Sequence, residues 1–164
     1  MSKFMFVVVM LFAATASAQQ LDLKSLDKFA EKAKSKTEIN MDESMLKAAS
    51  NTLSEKNKDE KIAKKSAEGA KGFYLRVYEF EDNSGFKLED VKPLVDQLKG
   101  PDWKPLLRSK EDGEQTEIWM HYKDGIADGM VLIAAEKKEL TVINGIGVTD
   151  LKDLKALGKM DPLK

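Results

Sequence analysis

Over residues 73–78 the chain changes character at every position, with Phe73, Leu75 and Val77 set against Tyr74, Arg76 and Tyr78. That two-residue period is the signature of a pleated strand, and aromatic and β-branched residues suit one. The rhythm returns over 116–122, where Ile118 and Met120 alternate with Trp119 and His121. Residues 106–109 read as a short strand, and 129–135 and 140–146 as continuous apolar strands on either side of a charged turn at 136–139. Turn chemistry separates them: Asp82-Asn83-Ser84-Gly85, Glu111-Asp112-Gly113, and the Asp-Gly hairpin signal in Lys123-Asp124-Gly125.

Elsewhere the period lengthens to that of a helix. Leu26, Phe29, Ala30 and Ala33 make one apolar stripe, predicting a helix over 22–35. Polar residues 35–40 read as a connection to a second helix over 41–53, with Met41, Met45, Leu46, Ala49 and Leu53 on one side and Asp42 as N-cap. Residues 55–65 are almost all charged and read as a solvated helical face and its turn. Leu88, Val91, Leu94, Val95 and Leu98 form the clearest stripe, ended by Gly100-Pro101. With Asp90 as N-cap, Pro93 falls in the first turn, where its missing N–H has no intrahelical partner to lose. Leu151, Leu154 and Leu157 predict a closing helix. The expectation is an α+β fold: an antiparallel sheet of four to five strands packed with helices, led by a helical N-terminal segment.

The start of the chain follows another logic. One positive charge at Lys3, an eleven-residue apolar run over 4–14 and Ala16-Ser17-Ala18 give the three parts of a secretory signal peptide over 1–18. The run is about half of what a membrane-crossing helix requires, roughly 20 residues. Residues 19–164 are then expected to be one exported domain, periplasmic or secreted, without stable membrane insertion. The chain contains no cysteine, which removes lipidation at a thiol, disulfides, thiol catalysis and zinc–thiolate sites. Net charge is −1, or −2 once Lys3 is gone, and both signs are interleaved. Nucleic acid is not expected as a partner, because it selects for a basic surface.

Four motifs tempt a chemical reading. Asn144-Gly145-Ile146-Gly147-Val148 resembles a phosphate-binding hairpin, but it follows a strand where a helix–hairpin–helix needs a helix. A dinucleotide fingerprint would need a third glycine at Asp150 and more chain than the fourteen residues beyond it. His121 is the only histidine, yet no Gly-x-Ser-x-Gly nucleophile turn accompanies it. Acidic residues gather at turns, namely Glu79, Glu81 and Asp82, then Glu111, Asp112 and Glu114, then Glu136 and Glu139. A carboxylate-dependent hydrolase is therefore the alternative to a binding domain. The oxygens at 81–84 could suit calcium, although EF-hand spacing is missing. No cofactor, metal site or catalytic residue is assigned.

The second face of the sheet carries the candidate site. If Phe73, Leu75, Val77, Ile118 and Met120 face helices, then Tyr74, Arg76, Tyr78, Trp119 and His121 share the opposite side. Left open, that face would offer large rings with polar tips, suited to holding a partner or ligand. Covered by the N-terminal helices, the same rings would be core, and both readings stand at this point.

Finally, the run Leu98-Lys99-Gly100-Pro101-Asp102-Trp103-Lys104-Pro105-Leu106, the strand pair 129–135 and 139–143, and Asn144-Gly145-Ile146-Gly147-Val148-Thr149-Asp150-Leu151 resemble an uncharacterised bacterial exported family. It is known as domain of unknown function four-two-five-two. The likeness runs from about residue 36 onward and is most specific in Ala-Glu-x-x-Glu-Leu-Thr-Val-Ile-Asn over 135–144. It implies export and a single domain, and the family has no assigned activity or binding residues to carry over. The expected function is thus a non-enzymatic binding or interaction module of the bacterial cell envelope, its partner an unidentified envelope protein or ligand.

Overall fold

A computed structural model describes residues 20–158 apart from Ser84. The expected signal peptide lies outside the described residues. Six strands form one antiparallel sheet: β1 (Ser35–Asp42), β2 (Gly72–Glu79), β3 (Trp103–Glu111), β4 (Glu114–Lys123), β5 (Ile126–Ala135) and β6 (Glu139–Ile146). They lie in the order β1-β2-β6-β5-β4-β3. Five helices accompany them: α1 (Asp27–Ala30), α2 (Glu43–Thr52), α3 (Lys58–Gly69), α4 (Lys92–Gln97) and α5 (Leu151–Gly158), with 3-10 turns at Lys24–Leu26 and Leu88–Val91. The α+β expectation holds.

Hairpin chemistry sets the register of the meander from β3 to β6. Asp112 and Gly113 have φ of 48° and 81°, and Asp124 and Gly125 have 52° and 79°. Two successive left-handed residues are what a two-residue turn needs if its twist is to match the strands it joins. The sheet has one strand more than expected. Residues 35–42 are not a connection followed by a helix start but β1, paired with β2 residue for residue from Ser35↔Glu79 to Asp42↔Gly72. As an edge strand it is solvated along most of its length, so its alternation of Thr37, Ile39 and Met41 with Lys36, Glu38 and Asn40 carries little hydrophobic contrast. The leading helix is correspondingly shorter than 22–35: α1 spans four residues, and the chain turns at Glu31 to enter β1.

Capping follows the sequence in one place and departs from it in another. Asp42 accepts from Met45 N at 2.9 Å and starts α2 as expected. Asp90 does not cap α4, whose N-cap is Val91; it accepts from Lys87 N at 2.9 Å and closes the preceding 3-10 turn. Pro93 sits in the first turn of α4, where it costs no hydrogen bond.

Helices cover both faces of the sheet. On one side α2, α3 and α5 pack against Met41, Phe73, Leu75, Ile118, Met120 and Met130. The Gly-x-Gly of β6 serves this packing. A Cβ on Gly145 would lie 2.5 Å from Val148 Cγ2 and 3.3 Å from Leu154 Cδ1, and Gly147 has φ +75° with Gly69 O and Lys71 N each 3.0 Å from where its Cβ would stand. On the other side the segment from Leu21 to Ala30 and the helix α4 bury Tyr78, Trp119, Val131, Ile133, Leu140 and Val142. Leu26 and Phe29 are fully or almost fully buried there, each stabilising the fold by about 1.5–3 kcal/mol through area removed from water.

Candidate functional site: a cleft beside the β1–β2 edge

Alternation along the strands does what the sequence indicates: Tyr74, Arg76, Tyr78, Trp119 and His121 share one face, opposite Phe73, Leu75, Ile118 and Met120. The structure adds two features. The two strands are not neighbours, because β6 and β5 lie between β2 and β4. The face is not open. Tyr78 is 0% exposed and Trp119 4%, because the N-terminal segment and α4 lie across them, and His121 is 4% exposed beside Trp103 and Asp128. An open recognition surface through these three residues is therefore corrected to core.

The cover is held by specific bonds. Leu21 N donates to Asn144 Oδ1 at 2.9 Å, which ties the segment to the central strand β6. Asp22 N donates to Gln97 Oε1 at 2.8 Å while Gln97 Nε2 returns a bond to Asp22 O at 3.0 Å. Lys28 Nζ meets Asp90 Oδ1 at 2.9 Å, and Lys28 holds the Asp90 carboxyl below its usual range. Nothing local to Asn144 or Gln97 indicates this use; their partners lie 123 and 75 residues away.

Trp119 and His121 each have a carboxylate partner. Trp119 Nε1 donates to Glu117 Oε2 at 2.7 Å, and the Arg108 guanidinium stacks 4.5 Å from the centre of the Trp119 ring. His121 Nδ1 lies 2.6 Å from Asp128 Oδ1, with Trp103 edge-on to the imidazole at 4.9 Å. The imidazole is thus buried between a carboxylate and an indole ring. The acidic turns do converge: Glu79, Glu81, Glu114, Glu136 and Glu139 line one open depression together with Lys34, Lys137 and Lys138. Among the described residues no group of three or more acidic or histidine side chains is placed to hold a metal ion. The oxygen-rich turn over 81–84 includes Ser84, which lies outside the described residues.

Tyr74 and Arg76 remain at the surface. They line a cleft of about 490 Å³ between the chain at Gln20, Leu21, Asp22, Leu23, Lys24 and Asp27 and the strand residue Asn40. The Arg76 side chain is 14% exposed. Its Nη1 donates to Leu75 O at 2.8 Å and Ile39 O at 3.3 Å, and its Nε lies 3.3 Å from Glu38 Oε1. These contacts fix the guanidinium plane at the wall of the cleft. Two buried hydroxyls, Tyr78 Oη and Ser25 Oγ, have no hydrogen-bond partner among the described residues. Burial pushes the Tyr78 phenol above its ordinary value, Glu38 adds to the rise, and the charges of Arg76 and Asp27 also reach it. The oriented donors of Arg76 and the carboxylates of Asp22 and Asp27 thus give one cleft both signs of charge beside an aromatic ring.

Among the described residues, no helix is long and apolar enough to cross a membrane. Compared with curated proteins and with solved structures, the chain finds no match. A family model does match, over residues 29–157, which takes in every strand and every α-helix except the first two residues of α1 and the last residue of α5. The chain belongs to the family described as domain of unknown function DUF4252.

Proposed function

We propose that this protein is an exported, non-enzymatic binding module of the bacterial cell envelope, and that its ligand sits in the cleft beside the β1–β2 edge. The observation that carries the reading is Arg76, held in orientation by three contacts at the wall of that cleft, which Asp22 and Asp27 also line. A guanidinium so oriented presents its positive charge to an anion such as a carboxylate. Asp22 and Asp27 on the facing segment suit an amine, and Tyr74 offers apolar area. A small zwitterion, an amino acid or the end of a short peptide, satisfies all three. Export rests on the apolar run at 4–14 and the small residues at 16–18.

Isothermal titration of the protein with free amino acids and dipeptides tests the reading. Saturable heat is expected for at least one of them, and Arg76→Lys should weaken it by about tenfold, because an ammonium cannot keep the three contacts that orient the guanidinium. Binding that Arg76→Lys leaves intact contradicts the proposal, as does the absence of any saturable heat from the whole panel.

A further inference from the structure

The two edges of the sheet are built differently. β3, at one edge, contains Pro105, which has no N–H to offer, and its register slips between Pro105 and Leu107. Its exposed side chains include Lys104, Arg108 and Lys110, so a second copy of the same strand would meet like charge. Prolines, bulges and unbalanced charge are the usual means of keeping an edge from pairing. β1, at the other edge, has none of them. It runs eight residues without proline or register shift, and Ser35, Lys36, Thr37 and Glu38 are all exposed, on both faces. Its one lysine is already balanced, since Lys36 Nζ lies 3.3 Å from Glu38 Oε2.

We infer that β1 is a homodimerisation edge, pairing antiparallel with β1 of a second copy across a twofold axis at Thr37. In such a pair, residues directly opposite share a face of the sheet, with Cα atoms about 4.5–5.5 Å apart. With Thr37 opposite Thr37, Lys36 stands opposite Glu38 of the partner and Glu38 opposite Lys36, two charge pairs on one face from a single symmetric register. Ser35 meets Ile39 on the other face. Glu38 is already anchored by Arg76 Nε at 3.3 Å, so the carboxylate that receives the partner's lysine is held in place. Centring the axis on Glu38 would oppose two carboxylates. Centring it on Ile39 would bring the seam to Met41, which is buried in the cluster that α2 forms with that end of the strand. The Thr37 register alone uses the exposed stretch and matches charge throughout, and it joins two six-stranded sheets into one of twelve.

Sedimentation velocity over a range of concentrations tests the inference. The wild type is expected to sediment as a dimer. Lys36→Glu or Glu38→Lys alone, each placing like charges opposite, should weaken association by about tenfold or more, while the double exchange Lys36→Glu with Glu38→Lys restores it. Because the chain has no cysteine, Thr37→Cys supplies a second readout that does not depend on charge. Across the axis its Cα separation falls within the roughly 4.4–6.8 Å a disulfide spans, so mild oxidation should give a covalent dimer, whereas Ser109→Cys on β3 should not. A monomeric wild type at the highest concentrations reached overturns the inference. So does a dimer indifferent to the single charge reversals, or one in which Thr37→Cys fails to cross-link.

Discussion

Phe29→Ala is expected to lower the stability of the protein by about 3–5 kcal/mol, a large share of the roughly 5–15 kcal/mol that a domain of this size possesses. Phe29 is buried, and its ring meets those of Tyr78, Phe80 and Phe86 at centroid distances of 6.0, 6.3 and 6.1 Å. Truncation removes the transfer free energy of the ring and leaves a void bounded by three other rings and the sheet, which cannot collapse onto it. The loss has a functional side, since Phe29 holds down the segment that walls the cleft. Urea unfolding followed by circular dichroism should show a lower midpoint with an unchanged slope. A change below about 0.5 kcal/mol, the range of surface substitutions, would mean that the segment from Leu21 to Ala30 is not docked on the sheet.

The second large effect belongs to Trp119. As a surface contact for a partner, its replacement by alanine would barely touch stability; as core, Trp119→Ala should cost about 3–5 kcal/mol. Two contributions add here. The indole fills space beside Val131 and Ile133 in the covered face, and its Nε1 is the donor to the buried Glu117 carboxylate at 2.7 Å. Trp119→Phe separates them, because it keeps most of the volume while leaving that carboxylate short of one donor, at a cost of about 1–3 kcal/mol. The ordering wild type, phenylalanine, alanine in a denaturant series is the expected result, and two variants as stable as the wild type would contradict it.

What the sequence conveys about this molecule divides along the range of the interactions involved. Asp112-Gly113 and Asp124-Gly125 declare their hairpins locally, and the alternation in β2 and β4 assigns each side chain to its face without knowledge of the neighbours. β1 escapes notice because a solvated edge strand needs few apolar residues, so Lys36, Glu38 and Asn40 look like a loop. The Ala33 that extends the first helical stripe is a turn residue, since Ala33 N closes back on Phe29 O while Lys34 N already joins the sheet at Glu79 O. Whether the aromatic face is open or closed is a tertiary matter. Nothing near Trp119 or Tyr78 indicates a cover. The cover arrives from residues 21–30, fastened at Asn144, Gln97 and Asp90. The candidate site therefore contracts from five residues to Tyr74 and Arg76, and gains Asn40, Asp22 and Asp27, whose role depends on a wall that only folding builds.

The same wall allows a direct optical test. The chain has two tryptophans, Trp103 and Trp119, both buried in the cluster beneath the N-terminal segment and α4. Fluorescence of the folded protein should accordingly be blue-shifted and scarcely quenched by iodide, with Leu26→Asp, which dislodges the segment, shifting the emission to the red and exposing it to quencher. Red-shifted, readily quenched emission from the folded wild type would show the aromatic side of the sheet in contact with water and contradict the closed face on which the cleft depends.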